Sequence, residues 1–313
     1  MFRFCLMMML AAPAFAGDPL YELLGRLAPE GRAMVSLFGA TAPFQAKTES
    51  DINGRFHFRN LRAGTYTVAV NMAGRGEARQ TAEIGPGTAD SRRRVSLTLQ
   101  FKESDFVHDD VGRRNSVSTR QLAIPETALR EYREAVKDLE RHDAESAARR
   151  LQHAVTLAPQ FADAWNELGT LAYQAQQYER AEKCFRAALA QDPRAYEPLV
   201  NLGGVLIDTH KLDEALMYNQ DAVLLRPDDA LANSQLGLAY FATGNFDLAV
   251  KYLEIARGID PAHFSHPQLV LAEIHLRRGE NRAAADALED FLRRHPDFPT
   301  ADKIRENIAR LRN

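Results

Sequence analysis

Only two of the 313 residues are cysteine and one is tryptophan. Two thiols cannot staple a small secreted scaffold, so an apolar core has to hold the fold. Neither sign of charge dominates: 39 Lys plus Arg against 42 Asp plus Glu gives a net −3. There is thus no overall electrostatic case for nucleic acid as a partner. After residue 16 no stretch approaches the ~20 apolar residues of a spanning helix, so no transmembrane segment is expected in the mature chain. Catalytic signatures are missing too. There is no G-x-S-x-G elbow and no H-E-x-x-H pair, and Gly74-Arg75-Gly76 lacks the third glycine of a dinucleotide loop. No cofactor is expected. What is present is 45% hydrophobic and 26% charged, which excludes a wholly disordered or collagen-like chain. The length suits two domains, or one joined to a repeat array. The halves differ in charge: residues 17 to 102 hold twelve basic and eight acidic side chains, a surplus of +4, whereas residues 126 to 313 hold 23 and 30, a surplus of −7.

Residues 1 to 16, MFRFCLMMMLAAPAFA, carry Arg3, then an apolar run, then Ala14-Phe15-Ala16 before Gly17. This order fits a cleaved secretory signal and predicts an exported, periplasmic or extracellular protein, with an uncleaved amino-terminal anchor as the rival. Cys184 is then the sole thiol of the mature chain, and its run AEKCFRAAL predicts packing on an amphipathic helix.

Residues 17 to 102 show period-two patterning, which predicts seven short strands: Tyr21 to Leu27, Ala33 to Phe38, Phe44 to Thr48, Arg55 to Phe58, Thr65 to Met72, Glu77 to Ile84 and Val95 to Phe101. The alternation places Phe56 with Phe58, and Tyr66 with Val68 and Val70, on core-facing sides. Asn53-Gly54 is a hairpin signal. The fold class expected here is an all-β antiparallel sandwich. The run SDINGRFHFRNLRAGTYTVAV, through Asp51, Asn53, Gly54, Phe56, Phe58, Leu61 and Ala63 to Tyr66, resembles the carboxypeptidase regulatory-like (transthyretin-like) domain. The family includes carbohydrate binders, so the resemblance implies a glycan as the alternative partner, with the rest of the chain as spacer. The aromatic rings follow core parity, which argues against a stacking platform. Asp51 opens like a calcium loop but lacks the acid at loop position 12. Arg92-Arg93-Arg94 reads as a solvated strand entry.

Residues 103 to 127 are a polar linker ending near Pro125, in which His108-Asp109-Asp110 reads as loop, not metal site. Beyond it, Pro159, Pro193, Pro227, Pro261 and Pro296 recur every 34, 34, 34 and 35 residues. Five units follow, at 128–161, 162–195, 196–229, 230–263 and 265–298. Position 20 is Ala147, Ala181, Ala215, Ala249 and Ala284. Position 8 is Ala135, Gly169, Gly203, Gly237 and Ala272. Small residues there let two antiparallel helices approach, while position 24 (Leu151, Phe185, Leu253, Leu288) fills the space around them. Period and signature together resemble the tetratricopeptide repeat (TPR), which implies an all-α solenoid. The first unit departs most, with Glu131, Glu134 and Asp138 at usually apolar places, and reads as a cap. Residues 299 to 313 read as a terminal helix capped by Thr300, with Ala301, Ile304, Ile308 and Leu311 on one stripe.

His142-Asp143-Ala144-Glu145 mimics the spacing of a metallocarboxypeptidase ligand pair but falls in a turn between helices, and His263, His266 and His275 fall at the junction of units four and five. Neither group is read as a metal site. The resemblance implies that the first helix of each unit lines a concave surface, where Tyr132, Asn166, Thr170, Tyr173, Glu197, Asn201, Asp208, Ser234, Phe241, Glu273 and Arg277 would meet a protein or peptide partner. The lysines that clamp a terminal carboxylate in some repeats are missing, so a basic or neutral segment is expected. The expected function is that of a non-catalytic interaction scaffold.

Overall fold

A computed structural model describes residues 19–102, 105–106, 123–296 and 298–313. The signal-peptide reading of residues 1 to 16 and the His108-Asp109-Asp110 loop lie outside the described residues.

The amino-terminal region forms seven strands: β1 (Tyr21–Ala28), β2 (Met34–Gly39), β3 (Gln45–Glu49), β4 (Arg55–Leu61), β5 (Gly64–Met72), β6 (Gly76–Ile84) and β7 (Arg94–Gln100). They make two small sheets, ordered β4-β1-β7 and β3-β2-β5-β6. Alternation decides which side chains face inward, as expected of half-buried strands. Leu23, Val35, Leu37, Leu61, Val68, Val70 and Leu99 are fully buried in one cluster drawn from both sheets, and Phe56, Phe58 and Tyr66 join it. The Tyr66 hydroxyl donates to the Arg62 carbonyl at 2.8 Å.

Two expectations are corrected here. The pairing is not antiparallel throughout, because β1 runs parallel to β7 from Glu22↔Arg94 to Ala28↔Gln100. Parallel neighbours need a long crossover, and most of the intervening strands supply it as the second sheet. Asn53-Gly54 is not a hairpin within one sheet either, since β3 and β4 belong to different sheets. The Asp51 carboxylate accepts the Asn53 and Arg55 N–H groups at 2.9 and 2.8 Å, and Gly54 turns the chain at φ 71°. Leu27 N–H then donates to the Gly54 carbonyl at 2.9 Å, tying the corner to β1.

The remainder is helical: α1 (Glu126–Glu140), α2 (Ala144–Leu157), α3 (Ala162–Gln174), α4 (Tyr178–Gln191), α5 (Tyr196–Asp208), α6 (Leu212–Leu225), α7 (Ala230–Ala242), α8 (Phe246–Ile259), α9 (Pro267–Arg277), α10 (Asn281–Arg294) and α11 (Ala301–Arg312). Consecutive helices pair into five units, with α11 closing the stack. All five position-20 alanines are completely buried. At position 8 a Cβ added to Gly169 would lie 2.6 Å from the Phe185 ring, and one added to Gly237 would lie 2.7 Å from Leu253. The helices therefore touch where the side chains are smallest.

Each first helix ends the same way. Position 15 of every unit is left-handed: His142, Gln176, His210, Gly244 and Gly279 have φ of 60°, 57°, 58°, 81° and 75°. That conformation returns the chain into the second helix and favours glycine. Asp138 of the first unit, at a usually apolar place, is buried, accepting from Arg150 Nε at 2.8 Å and pairing with Arg141. Thr300 makes no side-chain cap to α11. That helix is held by buried Ala301 and Ile304 and by Arg312, which pairs with Glu289 at 3.0 Å. Unit five starts late, because Phe264 is inserted and His266 adopts φ 50° before Pro267.

Candidate functional site

First helices of neighbouring units approach one another, α3 with α5, α5 with α7 and α7 with α9. That places them on the inner side of the curve. Most of the residues expected to meet a partner are engaged with each other. Asn201 Nδ2 donates to Asn166 Oδ1 at 3.1 Å, and Thr170 donates to the Asn166 carbonyl at 3.1 Å. The Tyr173 hydroxyl donates to Asp208 Oδ2 at 2.8 Å. Burial raises the Asp208 carboxyl, and the Tyr173 hydrogen bond offsets part of that rise. Ser234 and Ser265 hydroxyls lie 2.6 Å apart, with His263 Nδ1 2.6 Å beyond. The Arg277 guanidinium stacks 4.9 Å over Phe241 and donates to Glu273 at 2.7 Å. Tyr132 packs 5.1 Å from the Phe161 ring. Such inter-unit ties stiffen the inner face. Among the described residues, Glu197 alone of the eleven has a hydrogen bond to the β domain, from Arg79.

The inner face already has an occupant. The four-stranded sheet turns its outer side chains toward the solenoid, and β3 touches α1. On β6, Arg79 donates to Glu197 at 2.9 Å, Thr81 N–H donates to Asp260 Oδ2 at 2.9 Å, and Glu83 pairs with His295. Gln174 Nε2 donates to the Gly39 carbonyl at 3.1 Å. His142 Nε2 lies 2.8 Å from the Asn60 carbonyl, with its ring 5.0 Å from Phe44. Thus His142 is a turn residue that reaches across to the β domain, while Asp143 caps α2 by accepting the Ser146 N–H at 3.0 Å.

Burial opposes the charge on Glu197, but the Arg79 and Arg226 guanidiniums outweigh it and hold the carboxyl below its usual range. In the neighbouring unit the balance reverses. Burial and then Asp163 push Glu167 up to about 7, with Lys47 of β3 pulling the other way. At the far end, burial, then His295 and His263, push His266 down to about 3. Its ring lies 4.6 Å from His295 and 5.5 Å from Phe298. His275 belongs elsewhere, 2.5 Å from Glu280.

Reading the sequence missed Lys47, Arg79, Glu167, Arg226, Asp260 and His295. A signal for three of them was present: Arg226, Asp260 and His295 each directly precede the proline of their unit. Among the described residues no group of three His, Cys, Asp or Glu side chains is arranged to hold a metal ion, and no helix is long and apolar enough to cross a membrane. Cys184 is buried in α4. A shallow groove of about 930 Å³ runs between Arg26, Arg32 and Arg55 on the β domain. Phe56, on its wall, is turned into the core.

Comparison with known proteins falls on the helical region. The family model for the "Cilia and flagella-associated protein 70 middle TPR-like domain" matches residues 131–259, and the "Tetratricopeptide repeat" model matches residues 269–305. Anaphase-promoting complex subunit 7 of Arabidopsis thaliana is 28% identical over 229 residues, 72% of this chain and 39% of that protein. Cell division cycle protein 16 homolog of Homo sapiens is 32% identical over 127 residues, 38% of this chain and 20% of that protein. The chain therefore spans less than half of either relative. Among solved structures, PilW, a type IV pilus biogenesis factor, matches with TM-score 0.52 at 21% identity over 59% of this chain and 87% of its own. Pseudomonas aeruginosa pilF gives 0.50 at 21%, over 62% and 90%. At these identities the likeness is one of fold. The helical region is a tetratricopeptide-repeat solenoid.

Proposed function

We propose that the chain is an exported, non-catalytic interaction scaffold: a carboxypeptidase regulatory-like β domain joined to a repeat solenoid whose inner face grips a segment of another protein. One of the curated relatives is named as a subunit of the anaphase-promoting complex, which supports an interaction role. The observation that carries the reading is the seat of β6. Side chains from three successive units hold one extended strand by its side chains and by a backbone N–H, and main-chain capture of this kind suits protein segments in general. A preformed stack also binds without first ordering itself. Phe44, Phe56, Phe58 and Tyr66 are buried in the β-domain core, so these rings lend the glycan alternative no support.

The test is affinity capture of the exported form followed by mass spectrometry, comparing the wild type with Asp260→Ala on the inner face and Met217→Ser on the outside, where Met217 is half exposed. A partner lost with the first variant and kept with the second supports the reading. A partner indifferent to both overturns groove binding. For export, amino-terminal sequencing is expected to begin at Gly17; a chain retained in the cytoplasm with Met1 intact refutes it.

A further inference from the structure

The contacts of β6 follow the repeat. The residue before each proline is Arg226, Asp260 and His295 in units three, four and five. Arg226 Nη1 lies 3.6 Å from Glu77 Oε1, Asp260 takes the Thr81 N–H, and His295 pairs with Glu83. Between them Arg79 bridges Glu77 and Glu197 at 2.8 and 2.9 Å. Alternate residues of a strand share one face, so Glu77, Arg79, Thr81 and Glu83 form one row of acid, base, polar and acid. Glu77 and Arg79 meet unit three, Thr81 meets unit four and Glu83 meets unit five, so positions along one face of the strand are read by successive units of the solenoid.

Two further facts bear on this seat. β6 is the edge strand of its sheet, since the order is β3-β2-β5-β6. Its outward N–H groups are the kind that an unpaired edge offers to another chain, and Asp260 takes one. The seam is also polar. Among the described residues, the hydrophobic cluster of the β domain contains residues 21 to 101 and the clusters of the solenoid begin at Ile124, so no apolar cluster of theirs crosses between them. Thr81 Oγ1 and Gln174 Oε1 are buried there without a protein partner. Two bodies with separate cores and a polar seam part without either unfolding.

Building on the scaffold reading above, we infer that the inner face is a receptor for the edge strand of a β-sheet, that β6 occupies it in the free protein, and that a partner enters by presenting such an edge and displacing β6. The partner class is therefore a protein with an exposed edge strand whose outward side chains alternate in charge.

The chain itself supplies the probe. Arg79→Glu sets like charges against Glu77 and Glu197, and Glu197→Arg sets them against Arg79 and Arg226. Each full-length variant alone is expected to undock, seen as at least tenfold faster amide exchange at Thr81 with an unchanged far-ultraviolet circular dichroism spectrum. Mixed in equal amounts, the two variants complement each other in trans, so light scattering on a sizing column gives a complex of twice the monomer mass. Both substitutions in one chain restore the pair in cis and return a monomer with slow exchange at Thr81. Single variants that keep Thr81 protected, or a mixture that stays monomeric, overturn the inference. Should Arg79→Glu fail to fold, Arg79→Ala with the same exchange measurement takes its place, and protection retained there overturns the inference equally. Because no outside protein enters this test, failure of the scaffold reading appears separately, as a strand-receptive groove for which capture yields no partner.

Discussion

The helix pairs pack through a negotiated volume, and the second unit offers the sharpest way to measure it. Replacing Gly169 by alanine places a methyl 2.6 Å from Phe185 Cε1 and 2.8 Å from Cδ1. Phe185 is 1% exposed and has no room to retreat. Overpacking of this kind costs about 1–3 kcal/mol, while the gain from removing a mid-helix glycine is about 0.5–1 kcal/mol. Gly169→Ala should thus destabilise the protein by roughly 1–2 kcal/mol. Units one and five show how the strain is relieved, since there Ala135 and Ala272 occupy position 8 in units whose position 24 is Leu151 and Leu288. Phe185→Leu alone leaves a small cavity at a cost of roughly 1–2 kcal/mol. In that background the alanine methyl fills freed space, so Gly169→Ala should change sign and stabilise by about 0.5–1 kcal/mol. The coupling across the four chains is then about 1.5–3 kcal/mol. Urea titrations followed at 222 nm measure it. If Gly169→Ala has the same effect in both backgrounds, the helices do not meet at position 8, and the packing account of the repeat fails.

Three other substitutions test separate parts of the structure. Asn219 holds position 24 of unit three, completely buried with both amide atoms unpaired; Asn219→Leu, which copies the Gly237 and Leu253 pairing of unit four, should stabilise by about 1–3 kcal/mol, and an unchanged thermal midpoint would count against that burial. Gln176 is exposed in the left-handed conformation, so Gln176→Gly should add about 1 kcal/mol, whereas His142→Gly, which forfeits the contacts to Asn60 and Phe44, should bring no gain; equal gains in a denaturant series would refute the seam contact. Glu167, with its folded pKa raised from 4.5 to about 7, keeps a proton that the unfolded chain releases, so its contribution is full below pH 4.5 and is lost as pH rises through 7. Glu167→Gln should therefore gain on the wild type by about 1–3 kcal/mol between pH 5 and pH 8, and parallel stability profiles would show Glu167 to be an ordinary surface acid.

Local periodicity accounts for what the sequence makes legible and for what it hides. Seven strands were readable because alternation is a property of adjacent residues, and the five units because alanine at position 20 recurs wherever two helices must touch. The same reading misplaced Asn53-Gly54, since nothing near the turn says that β3 and β4 leave for different sheets. It also missed the parallel pairing of β1 with β7, whose partners lie some seventy residues apart. Position 15 was hidden for a different reason: His142, Gln176 and His210 stand in a conformation that only Gly244 and Gly279 advertise. As for the inner face, counting helix positions from the repeat selected residues that mostly bind one another. The contacts that fill the groove join Arg79 to Glu197, Thr81 to Asp260 and Glu83 to His295, pairs separated by 118, 179 and 212 residues. No window along the chain contains both members.

The seam also gives a role to the residue before the proline in units three to five. Packing within a unit constrains positions 8, 20 and 24, because each faces another helix of the stack. The residue ahead of the proline stands at the turn to the next unit, apart from positions 8, 20 and 24, so the contact between paired helices does not set its chemistry. Arginine, aspartate and histidine at that place in units three to five each have a partner on β6, namely Glu77, the Thr81 amide and Glu83. In units one and two the same place is Ala158, fully buried, and Asp192, which caps its own turn at Arg194 N–H, 3.1 Å away. Among the described residues, contact with β6 from that position is thus found in units three to five. A uniform repeat supplies the rigid frame, and departures from uniformity at one position decide what the frame can hold.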